Sequence, residues 1–295
     1  MEIRHLRYFE VLGNTLNFTR AAEKLHIAQP PLSRQIRQLE EELGATLIDR
    51  NARPLALTKA GTFFLEQCSQ LLSRINEAQE ATRRISQGQR RWFGIGFVPS
   101  ALYGLLPEII RQYRLANQEV EVVLTEMTSI QQAEALKAGR IDVGFGRLPL
   151  DDRLLHGEVI AEEPLVAALS ARHPLLKFKR LRLSQLAAEP FILYPARPRP
   201  SYADHVLQQF RAHELSLGSV IDVNEMQTAI GLVAAGVGVT LVPSSVQRLQ
   251  RNDVVYRPLV EKDVSSPVIM NLRADNDSPD LLQLRKLIEG LRHKA

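Results

Sequence analysis

Side chains suited to nucleic-acid binding lie on one face of a helix that is predicted to start at Pro30 and Pro31 and to end at Gly44. Four polar residues lie opposite its apolar stripe: Ser33, Arg34, Arg37 and Gln38. Such side chains donate hydrogen bonds to base edges and to phosphates. Three consecutive glutamates at 40–42 would repel phosphate at the other end of the helix. The pattern predicts that the N-terminal half of this helix enters a groove of duplex DNA.

The segment after this helix offers further cationic contacts. The run ATLIDRNARPLALT, residues 45–58, predicts two short strands around Asn51–Pro54. Such a wing would present Arg50 and Arg53 to the DNA backbone or to the minor groove.

Polar residues in the rest of the chain are typical of an anion site. Four short polar turns each open a predicted helix, and three of these turns follow a predicted strand. They hold Ser100, Ser129, Ser201 and the pair Gln227 and Thr228. Ligands of open α/β sheets bind at the carboxyl ends of strands, where helix N-termini supply N–H groups. A small organic anion is therefore the expected ligand, and a dicarboxylate could bridge two such termini.

Each pattern also has a purely structural interpretation. The charges of the helix that starts at Pro30 and Pro31 could form the solvated face of an ordinary three-helix core. Each serine could be only the N-cap of its own helix, since serine is a common cap. The joint arrangement favours the functional interpretation in both places.

Motifs for catalysis and for metal binding are absent from the sequence. Gly94–Gly96 begins a GxGxxG pattern that stops at Phe97, and no GxxxxGK[ST], GxSxG or HExxH occurs. We expect no catalytic residue, no metal and no cofactor beyond a small-molecule effector. An enzyme or a pure binding protein for carboxylates stays open as an alternative, because Tyr194, Tyr202 and the arginines at 197 and 199 could polarise a substrate.

Three short helices are predicted to build the N-terminal module. Their apolar positions are Leu6, Phe9 and Leu12, then Phe18, Ala21, Ala22 and Leu25, then Leu32, Ile36, Leu39 and Leu43. Asn17 is a predicted N-cap of the second helix. Pro30 and Pro31 suit the first turn of the third helix, and Gly44 suits its end.

The net charge is concentrated in this module. Residues 1–91 hold 14 basic and 10 acidic side chains, whereas residues 92–295 hold 23 of each. A small basic module joined to a larger neutral one is typical of a nucleic-acid reader with an attached control domain.

A long helix is predicted from Thr58, its cap, to about Ser86, a span of roughly 40 Å. Its apolar positions alternate in steps of four and three: Phe64, Cys68, Leu71, Ile75, Ala78, Thr82 and Ile85. This pattern is typical of a coiled coil and predicts a dimer, although the helix could instead lie on its own domain. A polar hinge is predicted at 87–91.

The neutral module is predicted to be an α/β structure of two similar halves with a cleft between them. Its predicted strands are FGIGFV (93–98), VEVVLTE (120–126), IDVGFG (141–146), FILYP (191–195) and VGVTLVP (237–243). Helical stretches lie between several of these strands. We expect the chain to cross between the halves near residues 160–170 and to return near 265.

Composition favours a cytoplasmic protein. Cys68 is the one cysteine, so no intrachain disulfide and no cysteine zinc cluster can form. No apolar run reaches membrane-spanning length, and the N-terminus does not read as a signal peptide.

The chain resembles the LysR-type transcriptional regulators. The resemblance rests on LRYFEVLGNTLNFTRAAEKLHIAQPPLSRQIRQLEEELGATLIDR followed by LTKAG. It continues through GIGFVPSALYGLLPEIIR, EALKAGRIDVGFGRL, ILYPARPRPSYADHV and MQTAIGLVAAGVGVTLVPSSV, which look like the branch that controls catechol and benzoate degradation.

The resemblance implies a winged helix-turn-helix at 1–58, a linker and dimerisation helix at 59–91, and an effector-binding region at 92–295. That region would have two Rossmann-like subdomains, as in periplasmic binding proteins: subdomain I at about 92–161 and 267–295, and subdomain II at about 162–266. It implies an activator that works as a tetramer, bends double-stranded promoter DNA and contacts RNA polymerase, with no membrane association.

The resemblance also implies roles for single residues. Gln29, Pro30, Ser33 and Arg34 would read DNA, with Arg53 on the wing. Ser100 and Ser129 would hold the effector's carboxylates, and Pro200, Ser201 and Tyr202 would line the cleft. The implied effector is cis,cis-muconate, with benzoate or a chlorinated muconate as alternatives.

Overall fold

The computed structural model describes residues 1–86 and 91–292. They form two compact units: the first holds residues 1–86, and the second holds nearly all of residues 91–292. The hinge predicted at 87–91 lies, except for its last residue, outside the described residues. Within these two ranges no helix is long and apolar enough to cross a membrane.

The first unit combines helices with a short antiparallel hairpin. Its elements are α1 (Ile3–Thr15), α2 (Phe18–Lys24), α3 (Gln29–Leu43), β1 (Ile48–Asp49), β2 (Ala56–Leu57) and α4 (Lys59–Ser86). The predicted caps are confirmed: Asn17 accepts a hydrogen bond from the backbone N–H of Arg20 at 3.0 Å, and Gly44 ends α3 with φ of +64°.

Apolar stripes from α1, α2 and α3 meet in one core. Leu32, Ile36 and Leu39 of α3 are fully buried, as their spacing predicts. Leu43 was expected in the same stripe and is 37% exposed; it is the last residue of α3, next to the C-cap Gly44.

The long helix α4 begins as predicted, with the Thr58 hydroxyl accepting from the backbone N–H of Gly61 at 2.9 Å. The first two positions of its predicted coiled-coil seam pack elsewhere. Phe64 contacts Phe9 of α1, with ring centroids 5.5 Å apart, and Cys68 is fully buried in the first unit's own core. A seven-residue repeat cannot distinguish burial against α1 from burial against a second copy, so the seam prediction is wrong at this end. Leu71 is 44% exposed.

The second unit is an α/β structure. Its strands are β3 (Arg91–Phe97), β4 (Val120–Glu126), β5 (Val143–Gly146), β6 (Leu155–Ser170), β7 (Pro190–Leu193), β8 (Ser219–Asp222), β9 (Thr240–Pro243), β10 (Val254–Pro258) and β11 (Ser265–Arg273). Its helices are α5 (Leu106–Ala116), α6 (Ser129–Lys137), α7 (Leu183–Ala187), α8 (Tyr202–Ala212), α9 (Met226–Ala234) and α10 (Pro279–Arg292).

Two strands, β6 and β11, connect the halves of this unit. The first part of β6 pairs with β11, which continues through β5 and β3 to the edge strand β4. The second part of β6 pairs with β10 and β9. The core changes at the same place, since Ile160 belongs to one apolar cluster and Leu165 to the other. The predicted two-half α/β architecture is confirmed.

All five predicted strands are present, but the sequence analysis missed β6, β8, β10 and β11. In β6, Pro164 and a change of pairing partner interrupt the alternation by which strands are identified from sequence. In its first part only Leu155 and Ile160 are buried, five residues apart, whereas Leu165–Leu169 is buried throughout. One strand thus carries two different burial patterns.

Burial predicts that Cys68 reacts slowly with thiol reagents. Desolvation raises the pKa of its thiol to about 12. Relative to an unfolded thiol of pKa about 8.5, the thiolate fraction at pH 8 falls by about three orders of magnitude. We expect a chromogenic disulfide reagent to label the native protein far more slowly than the urea-denatured protein. A Cys68→Ala variant is the blank, and equal labelling rates would contradict the burial.

Candidate functional site

A cavity of about 250 Å³ lies between the two halves of the second unit. One half contributes Ser100, Thr128, Ser129 and Arg147, and the other contributes Tyr194, Pro200, Ser201, Tyr202 and Met226. These residues follow the carboxyl ends of β3, β4, β5 and β7 or begin the next helix. This is the edge at which ligands of α/β sheets bind.

Arg147, directly after β5, is the buried cation of the cavity wall. Its side chain is 3% exposed, and its guanidinium donates to Glu163 Oε2 at 2.8 Å and to Ser100 Oγ at 2.7 Å. Glu163 also accepts from the Ser245 hydroxyl at 2.9 Å. A guanidinium removed from water requires such acceptors, because an unpaired buried charge is strongly destabilising.

Arg147 also determines the hydrogen bonds that the hydroxyls of Ser100 and Ser129 can still form. Ser100 Oγ accepts from the guanidinium, and Ser129 Oγ accepts from the Arg147 backbone N–H at 3.3 Å. Each hydroxyl oxygen therefore accepts a hydrogen bond from Arg147, and the hydroxyl hydrogen is available to donate to another group. Neither is a helix N-cap: the 3-10 turn of Ser100 is capped at Val98, and Thr128 accepts from the first turn of α6.

Ser201 has a different role, although it also lines the cavity. Its hydroxyl donates to the Pro195 carbonyl at 2.8 Å and accepts from the Ala203 N–H at 3.2 Å, so it caps α8. Gln227 and Thr228 lie in the first turn of α9 with exposed side chains, and the cavity lining does not include them.

Tyr194 and Tyr202 form the aromatic side of the cavity. Their ring centroids are 5.3 Å apart, and both hydroxyls lie 3.4 Å from the Leu241 carbonyl. Burial raises the pKa of both phenols above the ordinary range, so both stay protonated. Arg199 is outside the cavity lining and pairs with Asp204 at 2.8 Å.

The sequence analysis missed Arg147 and Glu163. Arg147 follows the predicted strand IDVGFG, so its place at a strand's carboxyl end was an available signal. Glu163 lies in β6, which was not predicted, and no local pattern marks it. Among the described residues no group of three or more His, Cys, Asp or Glu side chains could hold a metal ion.

The residues expected to contact DNA lie on the surface of the first unit. Gln29, Pro30, Arg34, Arg37, Gln38 and Arg53 are exposed, and Pro31 and Ser33 are half-buried. Gln38 bonds along α3 to Glu42 at 3.1 Å. Arg50 differs from the others because its guanidinium donates to Glu40 at 2.6 Å.

Comparisons with known proteins match both units. A family profile described as "LysR substrate binding domain" matches residues 86–293, and one described as "Bacterial regulatory helix-turn-helix protein, lysR family" matches residues 3–62. The HTH-type transcriptional regulator CatR of Pseudomonas putida is 57% identical over 288 residues, which cover 98% of each chain.

Solved structures agree with this match. The effector binding domain of BenM, solved "with its effector benzoate", is 39% identical at a TM-score of 0.66 and covers 69% of this chain and 93% of its own. Full-length CbnR, solved with its target DNA, is 30% identical at a TM-score of 0.63 and covers 98% of this chain and 99% of its own.

Gly146→Ala is expected to weaken anion binding. A Cβ at Gly146 would lie 2.7 Å from Ser129 Oγ, so the hydroxyl must rotate away. We expect about tenfold weaker binding of a dicarboxylate by calorimetry, equal to about 1.4 kcal/mol. Gly231→Ala is the control, since nothing lies within 4 Å of its Cβ. Unchanged affinity in Gly146→Ala would contradict the role given to Ser129.

Arg34→Ala is expected to cost roughly 1–3 kcal/mol of DNA binding and to relax sequence preference if Arg34 contacts a base edge. Arg34→Lys separates the possibilities, because lysine keeps the charge and loses the planar fork that recognises guanine. Footprinting across operator variants measures both. Unchanged affinity and preference in Arg34→Ala would remove Arg34 from the reading residues.

Proposed function

Because this chain belongs to the LysR family of bacterial transcriptional regulators, we propose that it activates an operon for the breakdown of aromatic compounds and that cis,cis-muconate is its effector. Members of this family are regulators, so the chain is not an enzyme. In this proposal the first unit reads promoter DNA in the cytoplasm and the second senses the effector.

The observation that carries the effector class is the arrangement around Arg147. Two hydroxyls, those of Ser100 and Ser129, each accept one hydrogen bond from Arg147 and have a hydrogen available to donate. A carboxylate accepts hydrogen bonds and gives none, so it matches this pair of donors. Ser129 also opens α6, whose N-terminus favours negative charge.

Size favours a small acid. The cavity, about 250 Å³, is below the range of about 300–1,000 Å³ typical of drug-sized ligands. Its far side is apolar and aromatic, with Tyr194, Tyr202 and Met226. A planar six-carbon diacid places one carboxylate against the serines and its unsaturated chain against the tyrosines.

Benzoate is the second candidate effector. The observation in its favour is the benzoate-bound structure of the similar BenM domain. A chlorinated muconate is a further alternative of the same class. A dicarboxylate remains our proposal because the N-terminus of α8, with Tyr202 in its first turn, provides a second place for a carboxylate across the cavity.

Assembly belongs to the same proposal. Phe63 and Leu71 of α4 are 64% and 44% exposed, which suits pairing of α4 with a second copy. We propose a dimer through α4 and a tetramer of two dimers on bent promoter DNA, with RNA polymerase as a further partner. The effector acts by binding one arrangement of the cleft more tightly than the other.

Calorimetric titration of the full-length protein with muconate and with benzoate tests the effector. We expect muconate to bind more tightly, and Ser100→Ala or Ser129→Ala each to weaken it by about tenfold to a hundredfold, since a hydrogen bond to a charged group contributes roughly 1.5–3 kcal/mol. Effector-dependent transcription should fall while promoter binding is retained.

Ser184→Ala is the matched control, because Ser184 is an exposed serine of the same unit. Wild-type affinity in both Ser100→Ala and Ser129→Ala would refute the cavity assignment. Tighter binding of benzoate than of muconate would assign the second candidate. Chromatography of the titrated muconate checks the remaining alternative, because any product would indicate an enzyme.

A further inference from the structure

The carboxylate of Glu40 connects α3 to the hairpin of β1 and β2, here called the wing. Glu40 Oε1 accepts from the backbone N–H groups of Leu47 at 2.8 Å and Ile48 at 3.1 Å. Glu40 Oε2 accepts from the Arg50 guanidinium at 2.6 Å. One side chain near the end of α3 thus accepts hydrogen bonds from three residues at the start of the wing: Leu47, Ile48 and Arg50.

The hydrogen bonds of Glu40 are important for stability because the groups that make them are buried. The Glu40 side chain is 10% exposed, and Leu47 and Ile48 are fully buried. Without the carboxylate, two buried backbone donors lose their acceptor, and such groups are costly to leave unpaired. Glu40 therefore differs from the exposed Glu41 beside it, although the sequence presents both as members of one acidic run.

Arg50 is oriented toward α3. Its side chain is 32% exposed, one terminal nitrogen is bound to Glu40, and its Nε is buried with no hydrogen-bond partner among the described residues. Arg53, at the turn of the wing, is exposed. The two arginines of the wing therefore occupy different environments, which their spacing in the sequence does not indicate.

We propose that Glu40 is a positioning residue that fixes the wing relative to α3, and that Arg50 acts through Glu40 instead of contacting DNA. The inference rests on the DNA-reading role proposed above and removes Arg50 from the DNA contacts expected from the sequence. If Glu40 fixes the wing in this way, the position of α3 on DNA determines where Arg53, at the turn of the wing, contacts DNA.

The test uses full-length protein and a DNA site enriched by the wild type from a random duplex pool. Affinity for that site and for an unrelated duplex of equal length is measured over a range of salt concentrations. The variants are Glu40→Gln, Arg50→Met and the double variant. Glu41→Gln is the matched control, since it removes the same charge from the same helix.

We expect Glu40→Gln and Arg50→Met each to lower the ratio of specific to non-specific affinity about tenfold, and the double variant to lower it no further. The lost base preference should lie outside the positions read by α3. Glu41→Gln should keep the wild-type ratio, and the salt dependence of Arg50→Met should equal that of the wild type.

Two results would overturn the proposal. One is a ratio within twofold of the wild type in Glu40→Gln. The other is a salt slope lowered by about one in Arg50→Met, which would assign Arg50 to a phosphate. If Glu40→Gln unfolds, Arg50→Met alone decides, because this variant keeps the hydrogen bonds from the backbone N–H groups of Leu47 and Ile48 to Glu40. Failure of the wild type to enrich any site would refute the DNA-reading role instead.

Discussion

The burial of the Arg147 guanidinium is the constraint on which the second unit depends. A cation removed from water must be surrounded by acceptors, and here these are Glu163 and Ser100. Glu163 lies in β6 and Ser100 follows β3, so acceptors from two strands that do not pair with each other satisfy the charge of Arg147. The Oγ atoms of Ser100 and Ser129 accept hydrogen bonds from Arg147, so their own hydrogens remain available to donate. The hydrogen bonds that involve Arg147 thus also leave Ser100 and Ser129 as donors for the anion proposed above.

Both units use a carboxylate and a guanidinium to set geometry. Glu40 with Arg50 holds the wing, and Glu163 with Arg147 holds the cavity wall. Each pair has zero net charge, so neither contributes to the excess of four positive charges that marks the N-terminal module. Charge counting located the N-terminal module because its basic side chains outnumber its acidic ones by four. It could not detect groups whose charges cancel within hydrogen-bonding distance.

Local patterns predicted the helices of the first unit well, found five of the nine strands of the second unit, and identified long-range partners poorly. The helices of the first unit followed from apolar spacing and caps, and Asn17 and Gly44 have the predicted roles. The seam of α4 was misassigned at Phe64 and Cys68, because periodicity shows that a face is buried and does not show against what. Ser100 and Ser129 were found from their places at strand ends. Glu163 was not, because its partner is 16 positions away and its strand has no regular alternation.

The continuity of β6 limits how this chain can change its length. Side chains of a strand alternate between faces, so inserting or deleting one residue moves every later side chain to the opposite face. In a strand that belongs to one sheet, a neighbouring loop can change its length and so compensate for the inserted or deleted residue. In β6 the residues before and after Pro164 serve separate cores, and no loop lies between them. Tolerated insertions should therefore be confined to the ends of β6, in the segments 149–154 and 171–173.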